Sequence, residues 1–316
     1  MSSIYRLMAG FLSPGGEKAR LSILIYHRVL AEPDPIFPNE VTASRFDAQM
    51  AALKSVFNVL PLPEAVAKLK AGTLPARAAC ITFDDGYADN YTLALPVLQK
   101  HGLHATFFIA TAYLDGGRMF NDTVIEAIRR AKDPRIDLDD LGLGNHDVST
   151  PEAKAGAIGH ILPIVKYLPL SQREATVEAL TEKITDVALP TDLMMTTEQL
   201  KTLHGSGMEI GGHTDRHPIL ASLDDATVRT EILTGKAWLE TTLGTPIRVF
   251  AYPNGRPGTD YRPEQARILE DIGFDGAVST RWGYSNQSTD PYQLARFTPG
   301  WGGMRRFIPM LLKNLI

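Results

Sequence analysis

The stretch AACITFDDGYADN, residues 78–90, decides how this chain is read. Residues 78–83 are apolar and of strand type. They stop at two adjacent carboxylates, Asp84 and Asp85, and Gly86 follows at once. A run with no polar alternation suits a parallel strand buried on both faces. Six further runs share its character: LSILIYH (21–27), HATFFIA (104–110), MEIGG (208–212), RVFAYP (248–253), DGAVST (275–280) and YQLARF (292–297).

Helical segments separate these runs. DNYTLALPVLQKHG ends at Gly102. LDDATVRTEILTGKAWLETTLG places Val228, Ile232, Leu239 and Leu243 roughly on one face and stops at Gly244. RPEQARILEDIG has Pro263 near its first turn and Gly273 at its end, the usual asymmetry of helix termini. Strand and helix in alternation predict an α/β barrel or a doubly wound sheet. Residues 115–205 break the rhythm. They read as a mostly helical insertion without clear strands, lying over one end of the barrel and shaping access to it.

The 316 residues suit one large α/β unit, and 44% hydrophobic with 22% charged residues is an ordinary globular composition. A net charge of −4 offers no basic footprint for a nucleic acid. Cys80 is the one cysteine, so no disulfide forms within the chain, and it reads as a buried apolar residue. No secretory signal and no spanning helix is read, so the expected location is cytoplasmic. The basic, apolar segment MRRFIPMLLKNLI (304–316) is expected to dock on the barrel as a helix; the alternative is peripheral membrane contact.

In parallel α/β folds the C-terminal ends of the strands converge on the ligand site. Here those ends carry Tyr26-His27, Asp84-Asp85-Gly86, and GGHTDRH with His213 and His217. Two imidazoles and one carboxylate, Asp85, His213 and His217, can hold a divalent ion with coordination positions left open. Asp84 is then free for a separate task, removing a proton from water activated by that ion.

TFDDG (82–86), HTDRH (213–217) and RVFAYPNG (248–255) resemble, in order and spacing, the first three motifs of the polysaccharide deacetylases, the NodB homology domain of carbohydrate esterase family 4. The resemblance covers about residues 20–300, within one deacetylase domain spanning the chain. It implies a distorted seven-stranded (β/α) barrel, in agreement with seven strand-like runs. It implies Asp84 as catalytic base, and Asp85, His213 and His217 as metal ligands. Zinc is the default ion; nickel, cobalt or iron would satisfy the same set. It further implies Arg248 as the arginine that orients the base. The Tyr252 backbone N–H would hold the oxyanion, with Pro253 following as in the motif. Thr214 would serve as the hydroxyl residue that bonds within the histidine loop.

One departure stands out. The family's usual acid is a histidine near the C-terminus, and this chain has no histidine after His217. The leaving amine still needs a proton. ILIYHRV resembles the first strand of an exopolysaccharide-deacetylase branch in which that histidine takes the acid's place, which puts His27 in the role. For the tryptophan of the acetyl pocket, Trp282 is preferred over Trp301, and Trp238 is read as packing. Arg296 is placed against a sugar or a carboxylate near the site. The implied reaction is metal-dependent removal of acetyl groups from an N-acetylated glycan or sugar precursor. A deformylase or deacetylase of a lipid-linked sugar, and a degenerate carbohydrate-binding protein, are the alternatives.

Overall fold

The computed structural model describes residues 2–299 and 304–316. Its strands are β1 (Ser22–Tyr26), β2 (Asn58–Val59), β3 (Ala78–Phe83), β4 (Thr106–Ile109), β5 (Arg135–Leu138), β6 (Gly144–Asp147), β7 (Glu209–Gly212), β8 (Val249–Ala251) and β9 (Gly276–Val278). The main sheet runs β1-β3-β4-β7-β8-β9, every pair parallel, and β2 adds to the start of β3. Strands β1, β3 and β4 are buried along their whole length, which is why their sequences lack alternation.

The seventh run, 292–297, does not form a regular strand. It crosses from one neighbour to the other within a few residues. Leu294 bridges Val278 of β9, and Phe297 bridges Leu24 of β1, both in parallel sense. Between them the Arg296 N–H donates to the Arg281 carbonyl instead of to either strand. This segment closes the sheet into a distorted barrel and turns the Arg296 side chain inward.

The helices are α1 (Ser2–Leu12), α2 (Ala43–Val56), α3 (Leu62–Lys70), α4 (Leu95–His101), α5 (Phe120–Arg129) and α6 (Pro151–Lys166). They continue as α7 (Leu170–Ile184), α8 (Thr197–Gly205), α9 (Asp225–Leu243), α10 (Ala266–Ile272) and α11 (Met304–Asn314). Left-handed glycines end α4, α9 and α10 where expected: Gly102 at φ 58°, Gly244 at 68° and Gly273 at 90°. The Asp224 carboxylate caps α9 by accepting from the Thr227 N–H at 2.8 Å.

The insertion has its own apolar cluster, with Val124, Ile128, Ile136, Leu138, Ile161 and Leu180 among its members. It is not free of strands. β5 and β6 pair in antiparallel register, Arg135 opposite Asp147. The hairpin is short and charged, and only alternate residues of β5 are buried, so its sequence carries little strand signal. The C-terminal helix α11 buries Phe307, Ile308, Leu311 and Leu312 against the body of the protein, beside α1 and α2.

Candidate active site

The parallel register sets Tyr26 opposite Phe83, so β1 and β3 end level with each other. The Asp84 N–H still donates to the Tyr26 carbonyl, at 3.0 Å. His27 and Asp84 therefore leave the sheet side by side. The loops after β3, β7 and β8 meet them there. His27, Asp84, Asp85, His213, His217 and Asn254 all line one cavity of about 660 Å³.

The backbone around this cavity is strained. Six non-glycine residues have positive φ among the described residues, and four of them are here: Asp85 (78°), Thr214 (63°), His217 (51°) and Asn254 (58°). Such conformations persist only where the surroundings hold them, and they gather at functional sites.

The two adjacent carboxylates diverge. Asp84 is 3% exposed and forms a two-pronged ion pair with Arg296, with both terminal nitrogens at 2.7 Å. Arg296 is itself 1% exposed; its Nε donates to the Ser279 carbonyl at 3.0 Å and Nη1 reaches Thr82 Oγ1 at 3.2 Å. Burial alone would raise the Asp84 pKa. The charge and hydrogen bonds of Arg296 outweigh burial and hold it below the ordinary carboxylate value.

Asp85 turns the other way. Its Oδ1 lies 3.3 Å from His213 Nε2 and 3.5 Å from His217 Nε2. Burial again opposes ionisation, and the hydrogen-bonding His213 with its neighbour His217 overcomes it, holding this carboxyl well below its usual range. His213 Nδ1 pairs with the Ala251 carbonyl at 2.7 Å, which sets a proton there and orients the ring with Nε2 towards Asp85. Burial and the proximity of His213 press the His217 pKa down to about 3, so His217 is a neutral imidazole. Thr214 braces the loop: its Oγ1 accepts the His217 N–H at 3.0 Å. The three side chains fit a divalent ion. Ligands at ~2.0–2.1 Å from a tetrahedral ion stand roughly 3.4 Å apart, and the Asp85–histidine separations match.

Four expectations are corrected. Arg248 precedes β8, at the end of the strand away from the site, and its Nε pairs with Asp275 at 2.6 Å on the surface. Arg296 holds the position beside Asp84 instead; of its two expected contacts, a sugar or a carboxylate near the site, the structure bears out the carboxylate. The Tyr252 N–H joins the β8–β9 ladder, donating to the Val278 carbonyl at 3.3 Å, so it does not face the cavity. Pro253 is buried beside the cavity without lining it. After it the chain turns, and Asn254 presents itself: it lines the cavity, and its N–H and Nδ2 have no partner among the described residues. Trp282 is 58% exposed, edge-on to Phe297 and outside the cavity lining. Trp301 lies outside the described residues.

His27 is exposed, lines the cavity and adds a positive influence on both Asp84 and Asp85 when protonated. The outer wall, which the sequence did not single out, comes largely from the insertion and the loop after β1. Phe120, Ile125, Leu162 and Tyr167 supply apolar surface, and Asp122 and Arg129 supply polar groups. Asp122 is buried and accepts from the Tyr87 hydroxyl at 3.1 Å; burial, helped by the charge of Asp85, pushes its pKa up to about 7.

A family model described as polysaccharide deacetylase matches residues 71–150 and 161–276, more than half of the chain. The chain belongs to the polysaccharide deacetylase family. YxkH of Bacillus subtilis (strain 168), whose name places it in the same family, is 24% identical over 289 residues, 90% of this chain and 74% of its own. Among solved structures, the Streptococcus pyogenes deacetylase PplD, in complex with acetate, superposes with a TM-score of 0.62 at 19% identity, over 94% of this chain and 99% of that one. IcaB from Ammonifex degensii gives 0.59 at 21%, over 96% and 98%. At these identities the two structures establish the fold alone.

Proposed function

We propose that this protein is a metal-dependent amide hydrolase that removes acetyl groups from N-acetylated sugars of a glycan or glycan precursor. One observation carries the reading: Asp84 and Asp85 open on one cavity, yet one is paired to a guanidinium and the other to two histidines. A divalent ion bound by Asp85, His213 and His217, zinc by default, would supply Lewis acidity, polarising the amide carbonyl and lowering the pKa of water beside it.

The chain's own residues do the rest. Asp84, kept ionised and aimed by Arg296, takes the proton of the attacking water. Oxygen adds to the carbonyl carbon, and the Asn254 N–H donates to the oxyanion that forms; a donor so placed is worth about 3–4 kcal/mol. His27 gives a proton to the amide nitrogen as the C–N bond breaks, leaving acetate and a free amine. The apolar side chains of the outer wall suit the CH face of a sugar ring. They equally suit a lipid-linked sugar, which keeps that narrower reading open.

The test is acetate release from N-acetylglucosamine oligomers by zinc-loaded protein, with Asp84→Asn and His27→Ala alongside. Wild-type release, lost by about 100-fold or more in both variants, is expected. Full activity in His27→Ala removes His27 from the reaction. A wild type that binds oligomers and releases no acetate points to a binding protein instead.

A further inference from the structure

Helix α1 is apolar on two faces, and the fold covers only one. Tyr5, Ala9 and Leu12 pack into the core. Ile4, Leu7, Met8 and Phe11, at i, i+3, i+4 and i+7, form a stripe facing solvent, with Leu7 76% and Phe11 87% exposed. The surroundings are cationic. Arg6 is exposed on α1, and Arg77 lies alongside, its Cδ 4.0 Å from where a side chain on Gly10 would begin. Partial burial and the charge of Arg6 both lower the Arg77 pKa, as expected for neighbouring cations without an anion. On α11, which packs beside α1, Arg305, Arg306 and Lys313 are exposed. Neither helix contains an acidic residue. None of these five cations has a carboxylate partner among the described residues.

We propose that α1 and the outer face of α11 seat the protein on an anionic lipid surface. The apolar stripe enters the boundary between headgroups and acyl chains, and the five cations meet phosphate groups. A second copy fits this surface poorly. Two-fold pairing would face the same cations with themselves, and four side chains fall short of the area of a stable interface. The membrane contact thus belongs mainly to the N-terminal helix, because α11 has spent its apolar face on the core. Arg77 precedes β3 and Asp84 follows it, so the surface and the cavity lie towards opposite ends of the barrel.

Flotation of the full chain with vesicles tests this, using phosphatidylcholine alone and phosphatidylcholine mixed with phosphatidylglycerol. Binding to the anionic vesicles is expected to exceed binding to the neutral ones by about tenfold or more and to weaken in high salt. The pair Leu7→Asp and Phe11→Asp is expected to abolish it. Arg305→Gln with Arg306→Gln is expected to remove most of the anionic preference. Melting midpoint and acetate release, unchanged in all variants, show that the fold is intact. Equal binding to both vesicle types, or binding that survives the Leu7 and Phe11 changes, overturns the proposal. So does a solution dimer that dissociates in Phe11→Asp while wild type ignores vesicles.

Discussion

Arg296 uses a planar fork where Lys would offer a single point charge. Both Asp84 oxygens are engaged at 2.7 Å, and two further N–H groups are tied to Ser279 and Thr82. Arg296→Lys would keep the charge and lose the two-pronged bond. The Asp84 pKa then rises, and because the proposed base works ionised, the acid limb of the pH–rate profile is expected to move to higher pH. A fall in kcat of about 10–100-fold is expected, since a misaimed base loses much of a general-base contribution of 10²–10⁴. Arg248→Ala should leave kcat within about twofold, as changes to exposed pairs do little. Identical pH profiles for Arg296→Lys and wild type would refute the role. The Asp85–His213–His217 cluster was legible because its members sit in short local patterns, DDG and HTDRH. Arg296 was singled out as the neighbour of a sugar or a carboxylate, but which carboxylate was not legible, because Asp84 lies 212 residues away. Asn254 had a usable signal: Asn-Gly is the dipeptide that takes positive φ, and the turn it makes frees the N–H that Tyr252 spends on the sheet.

At the scale of elements, the site depends on how closely α9 approaches the histidine loop. Gly235 sits where a Cβ would lie 2.7 Å from the Thr214 carbonyl oxygen and 2.9 Å from its carbon. Both are backbone atoms that cannot swing aside. Gly235→Ala must push helix and loop apart, shifting His213 and His217 from Asp85. A loss of about 1–3 kcal/mol of stability is expected, with weaker zinc binding. Urea denaturation and zinc titration check it; wild-type values in both would show that the loop has slack. The elements themselves were readable where burial is complete, as in β3 and β4, whose residues all face the interior. Segment 292–297 has the right composition for a strand, yet it divides its hydrogen bonds between two neighbours. The β5–β6 hairpin was missed because half of β5 faces solvent, and charged residues fill that half.

At the scale of the molecule, an ion held by Asp85, His213 and His217 would tie the end of β3 to the loop after β7. Binding only to the folded state stabilises it by about 2.7 kcal/mol at an ion concentration 100 times Kd. Zinc is expected to raise the melting midpoint of wild type by a few degrees and chelator to reverse it, with no response in His213→Ala. A wild type indifferent to both would show that the cluster binds no ion. The ring is also completed late. Ribosomal synthesis delivers His27 and Asp84 long before Arg296; at ~5–20 residues per second the base waits roughly 10–40 s for its guanidinium. Until then β1 has no partner on its outer side, and Asp84 has no guanidinium to aim it. The other residues of the site, Asp85, His213, His217 and Asn254, all precede residues 292–297 in the chain, so the order of translation makes the Asp84–Arg296 pair the last part of the site to be set.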